Sequence, residues 1–218
     1  MFFYNKNKGK IDREKYNFTE DWFSHESESH VVDQFEKFLK KYRKISCKFL
    51  EIGSFEGMSA IWMLENILTH KDSKLWCIDP GVEWTGYLSE KEANNAFERL
   101  LSNINKSGFN EKAKIIKGKS GDYLVRFPKN YFDFIYVDGN HEAEKVLEDT
   151  IMSFRILNVG GIMALDDYLL GIRWPNSPGA IACKNLPKKA IDYFLEIYKD
   201  KIEILYKDYQ VWIKKIKE

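Results

Sequence analysis

Four side chains in the second half of this chain have the types and spacing to do chemistry together. In "FDFIYVDGNHEAEKVLED" Asp138 ends an apolar run and His141 follows three positions on, while in "GGIMALDDYLLG" Asp166 and Asp167 end another. Three carboxylates gathered in one cleft repel one another and resist ionisation unless a cation sits among them. An all-oxygen donor set made of Asp138, Asp166 and Asp167 suits Mg²⁺ or Mn²⁺ better than zinc. The competing account, acids that only cap loops in solvent, is weaker because all three end runs of strand length, and such ends form the ligand side of a parallel sheet. His141 taken alone would be a helix cap or a surface residue. Beside a metal it becomes the natural general base. An alcohol is a poor nucleophile near neutral pH, so an ion that stabilises the alkoxide and an imidazole that removes the proton do complementary jobs. Hydroxyls on adjacent carbons could both reach the ion, which would fix one oxygen in line for attack.

Those acids meet only if their strands are neighbours, about 5 Å apart. Apolar runs over 48–52, 74–79, 113–118, 132–138 and 161–166 alternate with helical patterns over 57–69, 90–106, 120–127 and 142–157. Alternation of this kind predicts an α/β fold, with a mostly parallel sheet and helices on both faces. A helix over 30–44, with Val31, Phe35, Phe38, Leu39 and Tyr42 at helical spacing, precedes the first strand. The tail holds a helical "PKKAIDYFLEIYKD", then "IEILYK" and "YQVWIKK". So short a connection forces an antiparallel hairpin and brings the sheet to seven strands.

Composition narrows the class of partner. With Lys+Arg 34 against Asp+Glu 33 the net charge is +1, so no overall field draws the chain to nucleic acid or an anionic membrane. No apolar stretch reaches the roughly 18 residues of a membrane span, and no signal segment is evident, which predicts a cytoplasmic protein. Cys47, Cys77 and Cys183 have no metal-like spacing and read as reduced core thiols. At 218 residues the chain suits one main domain, over 45–218, with an N-terminal extension and helix over 1–44. The first 29 residues are an arm or a lid. Homo-oligomerisation is left open.

A second group of residues comes earlier. "FLEIGSFEGMSA" (49–60) turns from the first strand into the first covering helix, where open α/β sheets bind ligands. A dinucleotide site would need G-x-G-x-x-G at a helix N-terminus. Here Glu51, Gly53 and Gly57 make E-x-G-x-x-x-G, and a carboxylate serves a phosphate badly. An ammonium-bearing ligand fits better, met by Glu51 directly, through water or through the loop amides. This pattern resembles the S-adenosyl-L-methionine loop of class I methyltransferases, whose fold is a Rossmann-like doubly wound sheet. The resemblance implies that Glu51, Gly53, Ser54, Phe55, Gly57 and Ser59 surround the amino-acid end of the cofactor. It further implies that Asp79, ending "CIDP", accepts the ribose hydroxyls, that Gly118, Lys119 and Ser120 line the adenine, and that Asp138 borders the same ligand.

The segment "DFIYVDGNHEAEKVLEDTIMSFRILNVGGIMALDDY" is similar to metal-dependent O-methyltransferases acting on sugars of macrolides and related glycosides, and the tail resembles bacterial and viral relatives of that group. The resemblance spans 45–216. It implies Asp138, Asp166 and Asp167 as ligands of Mg²⁺ or Mn²⁺, His141 as base with Asp138 beside it, and methyl transfer to a hydroxyl of a glycan or small glycoside. Two loops bring further candidates to the acceptor: Trp84 and Tyr87 in 81–92, and Tyr168, Arg173 and Trp174 around 169–187. A catechol-type methyltransferase is the nearest alternative, disfavoured by a His base and by the tail. A nucleotide-dependent dehydrogenase lacks its glycine pattern, and a non-catalytic binding subunit would have no need of the acids and histidine.

Overall fold

Residues alternate sides along the central strands, and helices cover both sides. The computed structural model describes residues 11–24, 31–81 and 89–218. Its five parallel strands are β1 (Lys48–Ile52), β2 (Lys74–Asp79), β3 (Ala113–Lys117), β4 (Phe132–Val137) and β5 (Leu157–Leu165). β6 (Ile202–Lys207) and β7 (Val211–Lys215) complete a seven-stranded sheet of order β3-β2-β1-β4-β5-β7-β6, with β7 antiparallel to both its neighbours. The helices are α1 (Val31–Leu39), α2 (Met58–Asn66), α3 (Glu90–Ser107), α4 (Ser120–Leu124), α5 (Ala143–Ile156), α6 (Leu170–Arg173), α7 (Pro178–Ala182) and α8 (Pro187–Tyr198).

Phe49, Phe134 and Trp212 pack on Phe35 of α1, Ile61 of α2 and Leu100 of α3. Leu50, Ile135 and Met163 pack on Leu124 of α4, Phe154 of α5 and Phe194 of α8. Each such side chain taken from water contributes about 1.5–3 kcal/mol, so two filled layers hold the strand ends where the site needs them. Tyr16 and Phe23, from the segment before α1, are buried in the first of these layers. Among the described residues, no helix is long and apolar enough to cross a membrane.

Several boundaries differ from those read in the sequence. The helix expected over 30–44 ends at Leu39 and tightens into a 3₁₀ turn, Lys40–Tyr42, where lysines offer nothing to extend the buried face. The helix expected over 57–69 begins at Met58, because Gly57 caps it with φ 84°, and ends at Asn66. The fifth strand, expected over 161–166, starts earlier, at Leu157, which pairs with Phe132. The stretch 169–187, read as loop, contains α6 and α7. Ser177 caps α7 by accepting from the Ala180 amide, and Pro178 sits in its first turn, a start signal the sequence did contain.

Candidate active site

Strand register sets the site. Ile52 pairs with Ile78 on one side and Val137 on the other, and Val137 pairs with Leu165. The next residues, Asp79, Gly53, Asp138 and Asp166, therefore form one row along the carboxyl edge, centred where the strand order reverses. A cavity of about 400 Å³ opens over this edge, bordered by Gly53, Phe55, Asp138, His141 and Asp167.

The turn after β1 satisfies its own polar groups. Glu51 is fully buried, and its carboxylate accepts from Ser54 Oγ at 2.7 Å, from Ser59 Oγ, and from Cys77 Sγ at 3.7 Å. Burial pushes its pKa up to about 7, against the pull of those hydrogen bonds. Asp79 accepts from the amides of Phe55 and Gly81, each at 2.8 Å, and burial raises its carboxyl as well. Gly53 has φ +83°, and a Cβ there would stand 1.9 Å from the carbonyl oxygen of Asp138. At Gly57, φ +84°, it would stand 2.6 Å from Leu100 Cδ1. The room these glycines leave is thus already taken by the β4 turn and by α3.

Glu51, Asp79, Gly118, Lys119 and Ser120 do not line the cavity, whereas Ser54, Phe55 and Ser59 do. Gly118, at the end of β3, donates its amide to the Asp79 carbonyl at 3.0 Å and has the Tyr123 ring beside it. Lys119 precedes α4, and the Ser120 side chain bonds Asp149, whose carboxyl burial lifts to about 6.

The β4 and β5 ends are crowded with charge. His141 Nε2 lies 2.8 Å from Asp167 Oδ2 and 4.0 Å from Asp138 Oδ1. One ligand atom from each of Asp138, His141 and Asp167 can be chosen so that all lie within 4.8 Å of one another. That spacing would let the two carboxylates hold a divalent ion with the imidazole beside it. Asp166 stands apart from the expected all-carboxylate set. One of its oxygens accepts from the Tyr136 hydroxyl and from Gln210 Nε2 at 3.0 Å, and the other accepts from the Asp167 amide at 2.7 Å.

Burial, then repulsion from Asp166 and Asp167, holds the Asp138 carboxyl well above its usual range. Burial and Asp167 lift Asp166 to about 7. Burial alone would raise Asp167 too, but the neighbouring imidazole and hydrogen bonds from His141 and Tyr209 bring it below normal. For His141 burial works downward and Asp167 outweighs it, so the imidazole is more basic than usual. Asp167 also has φ 58°, an uncommon backbone state for a residue with a side chain. The Tyr209 hydroxyl donates to its Oδ1 and braces it there.

Two walls rise from this floor. One is the segment before α1, with Phe18, Trp22 and Phe23; the other is Leu170, Trp174 and Pro178 from the stretch over α6 and α7. Glu142, next to His141, accepts from the amides of Lys184 (2.7 Å) and Asn185 (3.2 Å) and ties that second wall to the start of α5. Of the aromatic and basic residues expected at the acceptor, Trp174 reaches the cavity. Tyr168 does not, since its hydroxyl donates to Asp192 at 2.8 Å on α8. Arg173 pairs with Asp208 at 2.6 Å. Trp84 and Tyr87 lie outside the described residues.

Sequence reading missed Tyr136, Tyr209 and Gln210. For Tyr209 and Gln210 the signal lay in the hairpin: an antiparallel last strand enters the sheet at its ligand edge, so Val211 pairs with Leu165 and the turn before it reaches Asp166 and Asp167, whereas Tyr136 lies on β4, two residues before Asp138. It also passed over Glu56, buried in the cofactor-type loop.

Comparison with known proteins identifies the domain and its fold. A family model described as a methyltransferase domain matches residues 50–168. An uncharacterized protein of Acanthamoeba polyphaga mimivirus is 29% identical over 138 residues, which are 61% of this chain and 57% of that protein. The match thus spans little more than half the length of that relative. Among solved structures, the O-methyltransferase TomG of Streptomyces achromogenes, in complex with S-adenosylmethionine, has TM-score 0.59 at 18% identity, covering 85% of this chain and 81% of its own. An S-adenosylhomocysteine-bound methyltransferase of Podospora anserina has TM-score 0.62 at 18% identity, over 88% and 80%. The mycinamycin-pathway methyltransferase MycE, bound to Mg and S-adenosylhomocysteine, has TM-score 0.58 at 13% identity, over 89% and 51%.

Proposed function

Since the chain belongs to this methyltransferase-domain family and has the fold of S-adenosylmethionine-dependent O-methyltransferases, we propose that it transfers a methyl group from S-adenosyl-L-methionine to a sugar hydroxyl with the help of Mg²⁺ or Mn²⁺. The observation that carries this reading is the Asp138, His141 and Asp167 cluster on the floor of a cavity that also touches the E-x-G-x-x-x-G loop. The cofactor would lie along the row from Gly53 to Gly118, its amino-acid end on the β1 turn and its ribose on Asp79. The neighbour MycE, solved with Mg, lends the metal further support.

Asp138 and Asp167 would hold the ion, with Asp166 behind them to orient Asp167. A bound divalent ion supplies Lewis acidity to an acceptor hydroxyl. His141, made more basic by Asp167, would take the hydroxyl proton as the acceptor oxygen forms its bond to the methyl carbon and the sulfur–methyl bond breaks, leaving S-adenosylhomocysteine. Burial and adjacent carboxylates keep Tyr136 and Tyr209 protonated, so both act as hydrogen-bond donors throughout.

The test is methyl transfer to a panel of neutral glycosides, with and without EDTA. Turnover that stops with the chelator and returns with Mg²⁺ or Mn²⁺ is expected, and activity indifferent to it would remove the metal. A phenolic vicinal diol is the second reading, favoured by the aromatic rings of Trp22, Phe55 and Trp174 around the cavity. Catechols belong in the same panel for that reason.

A further inference from the structure

Glu56 is an acid that the proposed chemistry does not use, and it is 2% exposed. It accepts from the Thr19 amide at 2.7 Å, from Thr19 Oγ1 at 2.6 Å and from Arg99 Nε at 2.5 Å. Asn103, fully buried on α3, completes the knot. Its Nδ2 donates to the carbonyls of Glu56 (3.0 Å) and Asn17 (3.1 Å), and its Oδ1 accepts from the Asn17 amide at 2.8 Å. Two of the three donors to this buried carboxylate come from Thr19, so undocking the segment 11–24 would leave it with Arg99 alone, at a cost.

What the knot carries is a wall of the cavity. Trp22 is 47% exposed and rests on Phe55, with ring centroids 4.9 Å apart. Phe55 belongs to the same short loop as Glu56 and is held by Asp79 through its amide at 2.8 Å. Charge adds a second constraint. Glu20, Asp21, Asp138, Asp166 and Asp167 border the cavity, and among the described residues no lysine or arginine does. Arg13 offsets Asp21 at 2.8 Å, and Glu20 adds a further acid at the mouth.

We propose that residues 11–24, latched by Glu56, are the selective wall of the acceptor site, and that Trp22 covers the apolar face of an acceptor ring that carries no negative charge. An aromatic plate takes the face of a ring, while a mouth with acids and, among the described residues, no lysine or arginine offers a carboxylate or phosphate no ion-pair partner there. The inference rests on the proposed transfer to a ring hydroxyl. Trp22 is a specificity-determining residue, and Glu56 positions it.

The experiment measures acceptor KM, kcat and cofactor affinity side by side, for a neutral ring acceptor and for the same ring bearing a carboxylate. Trp22→Ala should raise the KM of the neutral acceptor about tenfold, with kcat and cofactor affinity each within about threefold, and Trp22→Phe should restore most of the loss. Glu56→Gln should act in the same direction, accelerate amide exchange at Asn17 and Thr19, and add little to Trp22→Ala in the double variant. Thr19→Val removes one of the same bonds with less risk to folding and should shift KM the same way. An unchanged KM in Trp22→Ala, an equal fall in cofactor affinity, or a carboxylated ring accepted as readily as the neutral one would overturn the proposal. Turnover of phenolic diols alone would defeat the sugar reading by itself, because the Trp22 comparison then runs on those diols and their carboxylated counterparts.

Discussion

The turn after β1 and the paired ends of β4 and β5 are two halves of one cleft built on opposite principles. In the first, every charge is answered from within: Glu51 by the hydroxyls of Ser54 and Ser59, Asp79 by the amides of Phe55 and Gly81. In the second, Asp138, Asp166 and Asp167 face one another, and repulsion helps to raise two of the three carboxyls. The first half is preorganised without a ligand. The second leaves carboxylates facing one another, as the proposed cation site requires, and Asp167, with φ 58°, is held by Tyr209 and His141. A methyl donor calls for a fixed cradle, whereas activation of a hydroxyl calls for charge that the protein alone leaves unbalanced.

The largest expected effect lies in the second half. His141→Ala should lower turnover by about 10²- to 10⁴-fold with cofactor affinity unchanged in calorimetry. A comparable loss of affinity would show that the halves are not separable in this way. Gly53→Ala attacks their seam, where a Cβ meets the Asp138 carbonyl at 1.9 Å. We expect about 3 kcal/mol of destabilisation, seen as a melting temperature about 10 °C lower, together with damage to both cofactor binding and turnover.

Glu51→Gln sharpens the first half through pH. The folded carboxyl, at about 7, lies above its ordinary 4.5, so the native state holds a proton that the unfolded chain releases between those values. Ionised burial therefore penalises the native state fully above pH 7 and not at all below about 4.5. In cofactor-free protein the glutamine variant should be more stable by about 2–3 kcal/mol at pH 8, with the gain vanishing near pH 4.5. Melting curves whose difference is flat with pH would refute that assignment. The smallest effect belongs to Asp79→Asn, which keeps a side-chain oxygen for one loop amide but loses the charge for a ribose. About tenfold weaker cofactor binding is expected, with the residual turnover at saturating cofactor close to normal.

Much of this was legible before folding. Apolar runs ending in acids gave the strands, and with them the placing of Asp79, Asp138, Asp166 and Asp167 at a ligand edge. The spacing of Glu51, Gly53 and Gly57 pointed to the family that the domain match shows. Less legible was the division of labour among the acids. Asp166 and Asp167 are adjacent and chemically identical, yet the first is taken up by Tyr136 and Gln210 and the second turns toward His141. Gly53 and Gly57 are recognisable as part of the cofactor-type turn, but that the space beside them is filled by the Asp138 carbonyl and by Leu100 is a tertiary fact. Tyr168 and Arg173 seemed equivalent to Trp174 in the same stretch, and α8 and Asp208 draw them elsewhere.

By itself, then, the sequence determined what depends on near neighbours: strand and helix periods, the cofactor-type turn, and the kinds of donor offered at each strand end. Tertiary structure alone decided which of those donors meet. Thr19 and Glu56 lie 37 positions apart, and Gln210 and Asp166 lie 44 apart. Their contacts follow from strand order, the antiparallel entry of β7 and the docking of residues 11–24. These are long-range choices made by burial of the whole core, and no local pattern of residues encodes them.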